Sequence, residues 1–190
     1  MISIIAGTNR PNAYSLKVAK LIQELFQTQD QASCVISLED IPQDLAHSGM
    51  YGRSNEAFTQ LAESNILDAQ ALIIVAPEYN GSYPGILKTF LDALPARSGW
   101  KAIADMPIFL VGVASGPAGN LRGLDHLTGV LHYMSAQVYH GNMLMPGITK
   151  LITENGQWQE GAETTRDMLA KRVANFVDFV DKVGTRTASL

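Results

Sequence analysis

Three short polar stretches hold the residues that could do chemistry. The first, AGTNRPNAYSLK (6–17), carries hydroxyls at Thr8 and Ser15, amides at Asn9 and Asn12, and a cation at Arg10. It leads into an apolar pattern of helical period, and a helix amino terminus offers unpaired N–H groups and a partial positive charge. That combination suits one phosphate group, although a plain turn with Ser15 or Asn12 as helix cap reads equally well from this loop alone. There is no Gly-Lys-Ser/Thr for a triphosphate, and Gly7 lacks the second and third glycines of a dinucleotide fingerprint. The second stretch, PEYNGSY (77–83), offers the aromatic face of Tyr79 and backbone N–H groups at Asn80 and Gly81, where glycine permits close approach of a flat ring. The third, ASGPAGN (114–120), has Ser115 and Gly116 among small or ring-locked neighbours, and reads as a turn that could close over the same ring.

The elements around these stretches decide whether they meet. Ala71 to Ala76 is an unbroken apolar run with Ile73, Ile74 and Val75, too short for a typical helix, and predicts a strand buried on both faces of a parallel sheet. After the second polar stretch, Pro84 suits a first helical position, and Ile86, Leu87, Phe90, Leu91 and Leu94 share one helical face. Ile2 to Ala6, Ser33 to Leu38, Pro107 to Ala114 and a segment from Val138 towards Met145 read as further strands. Helical patterns fall around Leu16 to Phe26, Phe58 to Ile66, Leu121 to Met134 and Leu169 to Val183, with a long loop through Ile41, Pro42 and Gly49 to about Ser54. Ile152 to Trp158, centred on Asn155-Gly156, predicts a small edge hairpin. Strands alternating with helices imply a doubly wound five-stranded parallel sheet with helices on both faces and residues 1–190 in one domain. In such a sheet the loops after strands one, three and four meet at the carboxyl edge. A phosphate pocket at one end and a polar-edged aromatic slot at the other describe a site for flavin mononucleotide, FMN.

Composition narrows the partners. At 190 residues and 46% hydrophobic the chain can bury a full core. A net charge of -4, with no basic cluster larger than Lys171-Arg172, gives no field for a nucleic acid. The apolar run at Ile2 to Ala6 has no positive charge before it and is far too short to be secretory or membrane-spanning, so a cytoplasmic protein without membrane partners is expected. The lone Cys34 excludes an internal disulfide or cysteine metal cluster and reads as a small buried hydrophobe. His47, His126, His132 and His140 show no metal-ligand spacing, Met143 and Met145 read as core or interface, and Glu78 as a solvated or capping carboxylate, so no metal is expected.

GTNRP after the first strand, PEYNGSYPGILKTFLDAL after the third and the Ser-Gly turn after the fourth resemble the NAD(P)H-dependent FMN reductases, flavodoxin-like relatives of the chromate, quinone and azo reductases. The resemblance spans Ile2 to Met145 and implies the flavodoxin-like strand order 2-1-3-4-5, with Thr8, Arg10, Ser15 and Leu16 holding the FMN phosphate. By the same likeness Pro77, Glu78, Tyr79, Asn80 and Gly81 line the isoalloxazine, and Ser115 with Gly116 borders it. Ala13 stands where the family commonly has Ser, which leaves that hydroxyl to Ser15. Alanine at position 93 and the less glycine-rich turn GPAGN also depart from the family pattern. The likeness implies that NADPH or NADH passes hydride to flavin N5, and that a small-molecule acceptor of quinone, nitro, azo or metal-oxyanion type then takes its place. It also implies a homodimer or homotetramer, and the cofactor rather than a titrating side chain carries the chemistry. Tyr83 and Trp100 are expected at the acceptor rim. Two other readings fit the fold: an electron carrier without its own nicotinamide reaction, for which -4 is a mild charge, and a receiver-like signalling domain, which would want clustered acids after Ala6.

Overall fold

The computed structural model describes residues 1–42, 45, 47, 56–94 and 102–184. Trp100 and the stretch from Gly49 to Ser54 lie outside the described residues. In chain order the elements are β1 (Ile2–Ala6), α1 (Tyr14–Gln27), β2 (Ser33–Ser37), α2 (Glu56–Ala62, running on as a wider π turn over Glu63–Leu67), β3 (Ala71–Pro77), α3 (Gly85–Ala93), β4 (Pro107–Val113), α4 (Leu121–Tyr133), β5 (Gln137–Val138), β6 (Met143–Met145) and α5 (Glu163–Val183).

All strand pairings are parallel, in the order β2-β1-β3-β4-β5, with β6 also on β4. This is the flavodoxin-like order. Parallel registry places Ile4 beside Ile73 and Ile73 beside Phe109, so alternate side chains fall on opposite faces and each face collects its own core. Ile4, Ala6, Ile73, Val75, Phe109 and Val111 pack with Val18, Ile22 and Phe26 of α1 and Val173 and Phe176 of α5. Ile5, Leu72, Ile74, Ile108 and Leu110 pack on the other face with Phe58 of α2, Phe90 of α3, and Leu124 and Leu127 of α4. The side chains of β3 and β4 are almost all fully buried, which is why their sequences read as continuous apolar runs.

Three local results differ from the sequence expectation. The fifth position of the sheet is filled by two pieces: β5 pairs with Pro107 and Ile108, and β6 with Val111 to Val113. The interruption has a steric origin, because Tyr139 turns inward against Phe109 and Phe176 while Gly141 lies so close to the tyrosine ring that a Cβ there would strike it. Pro84 caps α3 instead of opening it: its ψ of 141° is extended, and its carbonyl accepts from Leu87 N–H at 3.0 Å. Cys34 is half-buried, but in polar company, with Ser3 Oγ at 3.3 Å and Asn65 Oδ1 at 3.5 Å. Ser3 Oγ also donates to the Asn65 carbonyl, which ties β1 and β2 to the π turn. No described helix is long and apolar enough to cross a membrane.

The chain leaves β1 for one side of the sheet and β3 for the other. The carboxyl ends of these two neighbours therefore part to form a crevice.

Candidate functional site

The first polar stretch begins with a close approach. Gly7 N–H donates to the Val75 carbonyl at 2.9 Å, and a Cβ on Gly7 would lie 3.0 Å from that oxygen and 3.2 Å from Leu87 Cδ2. Only glycine fits without displacing β3 or α3. Thr8 is buried, its Oγ1 accepts from Arg10 N–H at 3.3 Å, and the same oxygen sits 2.9 Å from the Tyr79 hydroxyl. Thr8 thus ties the first loop to the second. Asn12 adopts φ 56° and Ala13 an extended cap conformation, after which the chain enters α1. Leu16 and Lys17 N–H both point back to the Ala13 carbonyl, and no side chain caps the helix or places an acid in its first turn. The amino end of α1 therefore presents N–H groups at Tyr14 and Ser15 without intrahelical acceptors. Ser15 Oγ, fully buried, has no hydrogen-bond partner.

The second stretch is a two-residue β-turn. Tyr79 and Ser82 exchange backbone hydrogen bonds at 2.8 and 3.0 Å, and Asn80 and Gly81 take φ 52° and 75°. These are the positive angles of a type I′ turn, for which Asn-Gly is the favoured pair. Helix α4 holds the turn from behind. A Cβ on Gly81 would come within 3.3 Å of Arg122 Nη1, Ser82 Oγ lies 3.0 Å from His126 Nδ1, and Gly123 is so near that a Cβ there would meet the Ser82 carbonyl carbon at 2.8 Å. Asn120, buried in a left-handed conformation, donates from Nδ2 to the Ala76 carbonyl at 2.9 Å, pinning the end of β3 to the start of α4. The third stretch curls back over β4, where Gly147 N–H reaches the Gly116 carbonyl at 3.2 Å.

A cleft of about 620 Å³ opens between the three loops. Of the residues expected at the site, Thr8, Arg10, Ser15, Pro77, Glu78, Tyr79 and Ser115 line it together. Leu16, Asn80, Gly81 and Gly116 do not. Leu16 packs partly into the α1 core, and the Asn80-Gly81 turn faces α4, so the neighbour that requires a small residue at position 81 is Arg122. Tyr83 stands beyond the turn, where burial pushes its phenol above the ordinary range and nearby Lys88 partly offsets this.

One wall was not expected at all. Ile148, Thr149, Glu154 and Asn155 also line the cleft. They belong to the segment after β6, whose hairpin closes through the Ile152–Trp158 bridge and a Thr153 N–H bond to the Gln157 carbonyl at 2.8 Å. The Asn-Gly signal located this hairpin, yet nothing local to it says that its tip rests on α1, where Gly156 lies against Lys17. Among the described residues no group of three His, Cys, Asp or Glu side chains could hold a metal ion.

A flavodoxin-like sheet with an uncapped helix terminus and an aromatic loop at its switch point has the layout of an open α/β ligand site. A family profile described as NADPH-dependent FMN reductase matches residues 1–149, and the chain belongs to that family. It is thereby an NAD(P)H-dependent oxidoreductase that works with FMN. A quinone reductase of Escherichia coli (strain K12) is 26% identical over 182 residues, covering 94% of each chain. An NADPH-dependent FMN reductase of Pseudomonas aeruginosa is 31% identical over 126 residues, covering 66% of this chain and 64% of its own. The solved structure of the flavoenzyme NAD(P)H:(acceptor) oxidoreductase FerB from Paracoccus denitrificans superposes with a TM-score of 0.78 at 22% identity, covering 96% of this chain and 98% of its own.

The unpaired, fully buried Ser15 hydroxyl beside uncapped N–H groups tests the fit of FMN on this chain's own geometry. A phosphomonoester supplies the acceptors these donors lack, and Ala13 and Ser15 both line the cleft, so the residues fit the group.

Proposed function

We propose that the protein is a cytoplasmic reductase of small-molecule acceptors, with quinones as the leading class and nitro, azo or metal-oxyanion compounds as further candidates. Several relatives are quinone reductases by name, including that of Escherichia coli, which matches along 94% of this chain. When bound, FMN would supply the redox chemistry, a two-electron relay from reduced nicotinamide to the acceptor.

The protein's part is to bind and to orient. Arg10 and the N–H groups of Tyr14 and Ser15 meet the phosphate, with Ser15 Oγ donating its unused proton. Tyr79, its hydroxyl paired with Thr8 at 2.9 Å, is held in the cleft wall while the turn behind it is fixed by α4. Pro77, Glu78 and Ser115 complete the ring end. Asn80, Gly81 and Gly116 act by shaping the loops that carry them, and Leu16 by anchoring α1. Val113, Ala114 and Ile148 add an apolar wall that keeps water from the reacting face. Residues 1–190 form one domain in this reading, assembled as a homodimer or homotetramer, with Tyr83 near the acceptor rim.

The observation that carries the reading is the unpartnered Ser15 hydroxyl at the cleft's phosphate end. Purified protein loaded with FMN should bleach within seconds of anaerobic NADPH or NADH addition, and benzoquinone should restore the yellow colour. Colour that survives both nicotinamides would instead identify an electron carrier. Light scattering should give two or four times the 20.6 kDa chain mass.

A further inference from the structure

The cleft does not stop at its phosphate end. A second compartment of about 260 Å³ lies beside α1, and Asn12, Ala13, Lys17, Glu154 and Asn155 wall both spaces. Lys20 and Glu24 line only the second. Its outer wall is the hairpin tip, beyond residues 1–149 that match the family profile. The tip is seated directly on the helix, with a Cβ on Gly156 falling 3.6 Å from Lys17 Cβ and Cγ.

We infer that this compartment takes the adenylate half of a flavin dinucleotide, so that the site accepts FAD as well as FMN. The inference rests on the FMN reading and extends it. With the first phosphate at Ser15, a second phosphate linked to it leaves past Asn12 and Ala13, two of the residues shared by both spaces. There it meets Lys17 and Lys20, which are three residues apart and so on one side of α1. Lys20 is exposed, and Lys17 Nζ rests 4.3 Å from the centre of the Tyr14 ring, from which it can swing to an anion. Two carboxylates, Glu24 and Glu154, face the same space. They leave the compartment without net positive charge, which suits a nucleoside whose free ribose hydroxyls donate to carboxylate oxygens and opposes a ribose bearing a 2′-phosphate. The adenylate of FAD has those free hydroxyls, and the adenylate of NADPH does not. Asn12 and Asn155 provide amide donors and acceptors for a base edge. The occupancy is non-covalent, and no bond of the flavin is made or broken.

The experiment is a fluorescence titration of the flavin-free full chain with FMN and with FAD, on the wild type and on Lys20→Glu. Lys20 is an exposed residue of α1 that lines only the second compartment, so its reversal leaves the fold and the FMN phosphate contacts in place. The expected result is saturable binding of both flavins by the wild type, with Lys20→Glu weakening FAD about tenfold and FMN less than about twofold. Absence of saturable FAD binding alongside normal FMN binding would overturn the inference alone, as would a Lys20→Glu effect that is equal for the two flavins. Failure of the wild type to bind either one overturns the FMN reading itself.

Discussion

At the scale of single residues, the phosphate end and the ring end make different demands. Arg10 is exposed and supplies charge, while Ser15 is fully buried and supplies a directed donor. A hydrogen bond to a charged group contributes roughly 1.5 to 3 kcal/mol, so Arg10→Ala and Ser15→Ala should each weaken FMN binding by about ten- to a hundredfold in a fluorescence titration. Solvent screening places Arg10 at the lower end of that range. Unchanged affinity in both variants would remove the phosphate assignment. Gly81 makes a steric demand. Its φ of 75° is costly for a β-branched residue, and the nearest obstacle is Arg122 Nη1 at 3.3 Å, the end of a flexible side chain. Gly81→Val should therefore keep near-normal circular dichroism yet purify colourless, because backbone strain distorts the turn that carries Tyr79. A yellow, fully active Gly81→Val protein would show that the turn tolerates the strain. Much of this was legible in the sequence, since hydroxyls, amides and one arginine before a helix, and Asn-Gly between aromatic residues, have definite physical uses. Which of them face the cleft was not legible. Asn80 and Gly81 turn towards α4 through contacts with residues some forty positions away, and no local pattern encodes such contacts.

At the scale of elements, each loop is placed by the helix behind it. Helix α4 fixes the ring-end turn through three of its first residues or their neighbours: Asn120 bonded to β3, Arg122 beside Gly81, and Gly123 under the Ser82 backbone. This makes Gly123 a test between two effects. Helix propensity alone favours Gly→Ala in a helix by about 1 kcal/mol. A Cβ at position 123 would collide with the Asn120 side chain and stand 2.8 Å from the Ser82 carbonyl carbon, and overpacking of this kind costs roughly 1 to 3 kcal/mol. The collision outweighs the propensity gain, so Gly123→Ala should lower the melting temperature and loosen FMN binding together. A rise in Tm would show that the turn yields easily. The long apolar strands and periodic helices were readable because burial on both faces leaves an unbroken hydrophobic run. The divided fifth strand was not, since two and three residues are too few for periodicity and the break depends on where Tyr139 finds Phe109 and Phe176.

At the scale of the whole molecule, the sheet separates two cores, one under α1 and α5 and the other under α2, α3 and α4. The parallel sheet and its two-sided covering were legible from the alternation of elements, and the strand order from the flavodoxin-like likeness. The docking of the hairpin on α1 was not, because it joins residues far apart in the chain. The cleft straddles that division: its phosphate loop runs into α1, its ring loop into α3, and across the gap between them stands the Thr8–Tyr79 hydrogen bond. A ligand bound there works as a clasp between the layers that cover the two faces of the sheet. Ligand at a hundred times its Kd adds about 2.7 kcal/mol to the folded state, and hydrogen exchange can show where that protection falls. Removing FMN should speed amide exchange most at the amino end of α1 and in the turn from Tyr79 to Ser82, leaving the β3 and β4 amides slow. If the flavin-free protein instead exchanges faster throughout by one common factor, the two layers open as a single unit and the clasp joins nothing that was separable.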